Sequence, residues 1–460
     1  MRILRFLLAA SLAAALPMAT ACGSDSGNAG TPADTADGAA DTTEPFDTTA
    51  DVTADTVQPT GPILDHPGAQ SHLCVLDKKD AVPFLGMSAG GTVAAGADGF
   101  LVTQCRQSGF GGDGAEGGVF GHWAGVTGKT SEPFAIGASD GGYDSDCQSA
   151  STGDTVTVVW ARALGGGGSQ VHAARVNATG QVVLGPLAVP GVADPNGPRV
   201  YQLIAKGEQA LLLWGTNDKV KATLLGADLK PVGMSSDLPP AWSYNLRGAK
   251  TATGFLVAWD QSSDLGWTEV WAVATDNSGK PVGGAWRIST TATAKLSTSL
   301  GDLVPLGEGF LTALTVRTTL PGTGGGFGEG SSASVTALQR LGTDGKPVGV
   351  PREVQTAVAD FEHIDPALEV VGDDVVLTWA FGTVIYICGG CIGDHDLRFV
   401  RLHGADLSTA SNVLELPRTG INGLKRPELA AQSDRLAVTY DIDFHAMTKS
   451  GAALLTCGAK

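Results

Sequence analysis

Charge is scarce in this 460-residue chain: Asp, Glu, Lys and Arg make up 17% of it, where about 25% is usual for a globular domain. Basic residues are the scarcer sign, 30 Lys and Arg against 47 Asp and Glu, which excludes a basic nucleic-acid binder. Aromatic residues contribute 6% and there are 8 His, and no spaced Ser, His and Asp motif or catalytic carboxylate pair stands out. The amino-terminal apolar run, Phe6 to Leu16, has eleven residues and is too short to cross a bilayer as a helix. Glycine, in contrast, is abundant: 64 residues, about twice the usual share. It has no three-residue period, and 43% of the chain is hydrophobic, so neither collagen nor wholesale disorder fits. A loop-rich protein with a sizeable core remains.

Arg2 and Arg5 ahead of that apolar run are the mark of a signal peptide, residues 1–21, and of an exported protein. The run closes on Met18-Ala19-Thr20-Ala21-Cys22-Gly23, which resembles the lipobox of bacterial lipoproteins. The resemblance implies that Cys22 is lipidated and that the membrane is a partner through this anchor; Gly23, rather than Asp, after the cysteine implies the outer membrane. Ala19 stands where that family usually has Leu, and Ala19-x-Ala21 also fits an ordinary signal-peptidase site. Residues 22–62 form an acidic Thr/Asp/Ala tether with eight acids and no Lys or Arg. Such a segment cannot offset its ordering entropy by apolar burial. Residues 63–460 keep 28 basic and 39 acidic residues, a net charge of −11.

Within residues 63–460 one unit recurs. A Gly or Asp turn precedes a short apolar strand: Phe100–Gln104, Val156–Trp160, Ala210–Trp214, Phe255–Trp259, Phe310–Leu314, Val375–Trp379 and Leu436–Tyr440. A hairpin turn follows each of the first six, as in Asp276-Asn277-Ser278-Gly279-Lys280, where Asn, Asp and Gly supply the positive φ that tight hairpins need. One further strand on either side gives four per unit. Seven four-stranded antiparallel units in a row predict an all-β chain, a seven-bladed β-propeller. The seventh unit is one strand short, and the segment around Leu73–Leu76 can supply it, pairing the amino- and carboxy-terminal strands.

Seven cysteines are an odd number for an exported chain, and lipidation of Cys22 leaves six. Closure of the ring puts Cys74 opposite Cys457, and Cys105 and Cys147 suit a bridge between adjacent blades. Cys388-Gly-Gly-Cys391 suits a disulfide stapling a loop, with a redox pair or a metal site sharing Asp394 and His395 as alternatives.

The connections between second and third strands are long and varied: Gln107–Gly118, Leu164–Ser169, Gln261–Thr268, Thr318–Ser332 and Gly382–Asp396. Long loops on one face of a rigid scaffold are where binding usually resides. The candidate binding residues are Phe110, Asp113, Trp267, Phe327, Glu329, Asp394 and His395. The recurrent aromatic position (Trp160, Trp214, Trp259, Trp379, Tyr440) suits packing between blades, with sugar stacking the alternative. Asp441, Asp443 and His445 alternate and share a strand face as metal ligands can, though a solvated loop start explains them better. Ser262–Thr268 matches one Asp-box but lies between the second and third strands, where that turn is not expected. Gly128-Lys129-Thr130 lacks the first glycine of a phosphate loop, Trp123 standing in its place.

The lipobox, the Thr/Asp tether and repeats such as Gly254–Gly283 together resemble the uncharacterised secreted and lipoprotein propellers of myxobacteria. That resemblance implies the architecture. The expected function is a lipid-anchored binding module of the cell envelope, monomeric, presenting its loop face to a protein or glycan. A polysaccharide hydrolase or lyase is the alternative. Carboxylates or an arginine cluster converging on the central channel would favour the enzyme, and a featureless channel beneath an aromatic or apolar loop face would favour binding. No cofactor or metal is expected, calcium being the one ion to test, and no nucleic acid.

Overall fold

The computed structural model describes residues 61–459 apart from 66–67, 69, 80–87, 107–116, 139–143, 165–167, 195–197, 217–218, 240–242, 244, 263–267, 290–295, 320–331, 357, 359–360, 388–389, 419–422 and 445–446. All of these belong to one compact unit, Gln58–Lys460. Among the described residues there is one 3-10 turn, Ile63–Asp65, no α-helix, and 28 strands in seven four-stranded antiparallel sheets. The chain is a seven-bladed β-propeller.

Blade 1 is built from Ser88–Ala95, Gly99–Arg106, Gly118–Gly125 and Phe134–Ala138, and blade 2 from Asp144–Thr152, Thr155–Ala163, Ser169–Asn177 and Val182–Asp194. Blade 3 uses Arg199–Lys206, Gln209–Gly215, Val220–Leu225 and Ser236–Asp237; blade 4 uses Leu246–Lys250, Gly254–Ser262, Thr268–Asp276 and Trp286–Arg287. Blade 5 is Leu296–Leu306, Gly309–Thr319, Ser332–Leu341 and Pro347–Glu353; blade 6 is Phe361–Val371, Asp374–Ile387, Gly390–His403 and Leu414–Leu416. Blade 7 takes Leu424–Gln432, Arg435–Phe444 and Met447–Ala459 from the carboxy terminus and His72–Lys78 from the amino-terminal side. The first strand of each blade lines the central channel.

Turn chemistry sets these hairpins. Between first and second strands, Gly153, Gly207, Gly307, Gly372 and Ser433 open two-residue turns with φ between 57° and 65°, the conformation that matches strand twist. Between third and fourth strands, Asn177, Asp228, Asp276, Asp344 and Asp406 each accept the backbone N–H two residues on, at 2.8–3.2 Å. Gly279 (φ +84°) leans on blade 3, where a Cβ would come within 2.7 Å of Ala222 and 2.9 Å of Leu211.

Seven apolar clusters hold the ring, each shared by two adjacent blades. The recurrent aromatic position packs there: Trp160, Trp214, Trp259, Trp379 and Tyr440 are all buried, each against the preceding blade. At Gly137 of blade 1 a Cβ would lie 2.6 Å from the Trp160 ring, so glycine is required for that fit. Cys105–Cys147 joins blades 1 and 2, and Cys74–Cys457 joins the two terminal strands at directly opposed positions. Asn412 of blade 6 brackets Cys74, accepting its N–H at 3.0 Å and donating to its carbonyl at 3.3 Å.

Two sequence expectations are corrected. Gly382–Asp396 is not an open loop: the strands run on, pairing Gly382 with His395, Thr383 with Asp394 and Ile387 with Gly390. The β-branched and aromatic run Thr383-Val384-Ile385-Tyr386-Ile387 favours this extension. Asp441 does not open a solvated loop either: it is buried within a strand, its Oδ1 accepting the Ser450 hydroxyl at 2.9 Å.

Candidate functional site

Of the loop candidates, Phe110, Asp113, Trp267, Phe327 and Glu329 lie outside the described residues, as do Cys22, Cys388 and His445. The side chains of Cys391, Asp394 and Asp443 also lie outside them, though their backbones are in strands. His395 is buried on the third strand of blade 6. Ser262 and Thr268, the ends of the Asp-box match, face each other across the hairpin of blade 4. Among the described residues no cluster of His, Cys, Asp and Glu is placed to hold a metal ion, and no helix is long and apolar enough to cross a membrane. The two disulfides among the described residues, Cys74–Cys457 and Cys105–Cys147, fit an oxidising compartment.

The described site is the channel. A cavity of about 300 Å³ is lined by the first strand of every blade. One position recurs around it: Thr92, Gln148, Gln202, Arg247, Asp302, Ala367 and Glu428. Each pairs with the fourth residue of its blade's apolar strand, eleven positions later (Thr103, Val159, Leu213, Ala258, Ala313, Thr378, Thr439). Six of the seven are polar. Two residues further along, the same face carries Ala94, Ala150, Ile204, Ala249, Val304, Glu369 and Ala430, apolar except for Glu369.

These polar groups reach from blade to blade. Gln202 Oε1 accepts the Gly248 N–H at 2.6 Å. Asp302 Oδ1 accepts the Leu303 N–H at 2.8 Å, its Oδ2 accepts the Leu368 N–H at 2.9 Å, and Arg247 Nε stands 3.9 Å from Oδ1. Glu428 Oε1 faces Gln148 Nε2 at 3.5 Å, and Thr92 lies 3.1 Å from the Ser149 hydroxyl. Behind the wall, buried Asp260 links blades 4 and 5, accepting the Leu300 N–H at 2.6 Å and Asn245 Nδ2 at 2.9 Å.

Burial governs the titration of these acids. It pushes Glu369 up to about 8, with the nearby Asp302 charge adding to the rise and the Ala431 N–H opposing it. Asp302 and Glu428 are raised, chiefly by burial, with Arg247 opposing in both, and Asp260 is pushed up to about 7 by burial. Glu369 therefore keeps its proton at neutral pH. A protonated acid beside a second carboxyl is what general acid–base chemistry needs, and the channel is not featureless. Its oxygens, however, are engaged in blade-to-blade contacts.

Residue type does not mark this ring in the sequence, because seven different blades use six kinds of residue there. The available signal is spacing, twelve residues before the recurrent aromatic position.

No family model matches the chain, and no curated protein does. Among solved structures it is similar to the ectodomain of the parainfluenza virus 5 hemagglutinin-neuraminidase, at 8% identity and a TM-score of 0.44, covering 88% of this chain and 89% of that one. It is also similar to Kuenenia stuttgartiensis hydrazine synthase (13%, TM-score 0.44, 76% and 92% covered). A Dyadobacter fermentans protein of unknown function is a third (10%, TM-score 0.42, 85% and 99% covered).

Proposed function

We propose that the chain is a glycan-binding module of the cell envelope, anchored by lipid on Cys22 and held off the membrane by the acidic tether. The propeller takes one end of its ligand in the channel. The observation that supports this reading is the cavity wall. Donors and acceptors both line it (Thr92, Gln148, Gln202, Asn245, Arg247, Asp302, Glu428), as a ligand rich in hydroxyl groups requires. At about 300 Å³ the space is at the small end for ligand sites, which suits a terminal sugar rather than a stretch of chain.

A hydrolase or lyase is the second reading, favoured by protonated Glu369 near Asp302. The hydrogen bonds on Asp302 weigh against it, since both oxygens already accept backbone N–H groups. The deciding experiment is to incubate the full-length protein with a glycan panel, with and without calcium, and to measure both binding and release of reducing ends or unsaturated products. Capture without turnover supports the binding module; turnover of any glycan overturns it. For the anchor, Cys22→Ala is expected to release the protein from membranes, and retention of the variant would refute lipidation.

A further inference from the structure

Bulges interrupt the first strand of six blades close to the ring of polar residues. In three of them a non-glycine residue adopts the left-handed conformation: Asp146, Asp365 and Arg426, at φ 52°, 50° and 48°. That geometry costs an L-residue about 1 kcal/mol or more. Pro366 and Pro427 follow two of them, and a following proline itself favours extended backbone. Something must hold each residue in place.

For the two aspartates the holder is visible. Asp365 Oδ2 accepts the Arg426 N–H of blade 7 at 3.2 Å, and the Asp146 carboxylate is set beside the Val200 N–H of blade 3 in the same way. Each aspartate staples its blade to the next. Arg426 occupies the same place and has no acceptor to offer. Its side chain is 77% exposed, and it lines the channel cavity. Asp441 Oδ2 stands 3.8 Å from Nη1, beyond hydrogen-bond distance, so this pairing does not use up the planar fork of donors that suits a carboxylate or sulfate.

We propose that Arg426 is the specificity-determining residue of the channel mouth and that the ligand is an acidic glycan. This rests on the reading of the channel as a glycan site. Other charges face the same space: Asp365 and Asp441 beside Arg426, and Arg247, Asp302, Glu369 and Glu428 on the wall. Asp441 Oδ1 is taken by Ser450, and Asp302 by two backbone N–H groups. Burial holds Glu369 mostly protonated at neutral pH. The exposed cation at the rim is the group an incoming oxyanion meets first.

The test titrates full-length protein, wild type and Arg426→Gln, with oligogalacturonate, dextran sulfate and neutral dextran. One of the two acidic glycans is expected to bind about tenfold more tightly than dextran, the scale of one charge-assisted contact. Arg426→Gln should abolish that preference, while Arg426→Lys keeps part of it. Which acidic glycan wins separates carboxylate from sulfate. Equal binding of acidic and neutral glycans, or a preference that survives in Arg426→Gln, overturns the assignment and leaves the glycan reading standing. Failure of all three glycans and of the wider panel overturns that reading itself. If Arg426→Gln does not fold, wild-type affinity for the acidic glycan must still fall with salt; salt-independent binding refutes the proposal.

Discussion

The second strand of each blade and the first strand beside it share one antiparallel ladder, interrupted by a bulge in six blades, yet they obey different rules. The second strands repeat: apolar, buried, five of them closing on a large aromatic residue against the blade before. The first strands do not repeat in residue type. They carry bulges, left-handed residues and polar side chains that bond singly to the next blade. Burial between blades thus supplies most of the cohesion, which leaves the channel wall free to vary. A wall free to vary is where a shared scaffold acquires an individual site.

That contrast can be broken most forcefully from the apolar side. Trp379 is fully buried between blades 5 and 6, and Trp379→Ala is expected to cost about 3–5 kcal/mol through the cavity it leaves, read from the denaturant midpoint. A loss below about 1 kcal/mol would mean that the aromatic position does not hold the blades together. On the polar side, Asp302→Asn puts an NH2 group against one of two backbone N–H donors, at an expected cost of about 1–3 kcal/mol. If it equals or exceeds Trp379→Ala, the ranking of the two strands is wrong.

pH separates the two regions as well. Glu369 titrates near 8 in the folded protein and near its ordinary 4.5 when unfolded, so the folded state holds an extra proton between those values. Its contribution to stability is complete below pH 4.5 and is lost as pH rises through 8. His363, buried among Trp379 and Phe381, is held down to about 4 by burial, with Arg398 adding to the effect. Its contribution is present above pH 6.5 and is lost as pH falls toward 4. Glu369 therefore makes melting temperature fall as pH rises from about 4.5 to 8, and Glu369→Gln should make that fall shallower, with Asp260, Asp302 and Glu428, raised in the same direction, keeping part of it. As pH falls from 6.5 toward 4, His363→Phe should reduce the loss of stability instead. A slope between pH 4.5 and 8 unchanged by Glu369→Gln would rule out a raised Glu369.

Legibility follows the same division. The second strands could be read because burial demands one kind of residue at each position, seven times over. Ring closure was legible through parity: an odd cysteine and an incomplete last unit pointed to Cys74 opposite Cys457, and the register agrees. The channel ring was not legible, since Thr92, Gln202, Asp302 and Ala367 share a place and no chemistry. Gly382–Asp396 was misread because Gly389-Gly390 between two cysteines suggests a loop, whereas Thr383–Ile387 had the composition of a strand. Asp441 was misread because the alternation of Asp441, Asp443 and His445 has the same period whether the face is solvated or buried.

The smallest effect expected is the one that bears most directly on Arg426. If Asp146 and Asp365 are staples and Arg426 is the same position given over to a ligand, then Arg426→Asp restores an acceptor next to the neighbouring first strand, Ser88–Ala95 of blade 1. The left-handed backbone is kept, and Asp tolerates it better than Arg does. The variant should gain about 0.5–1 kcal/mol, the scale of one net hydrogen bond, and lose its preference for acidic glycan. Stability and recognition then move in opposite directions from a single exposed side chain. A variant that loses both would show that Arg426 holds blade 7 in place, and the difference between it and the two aspartates would then lie in packing and not in function.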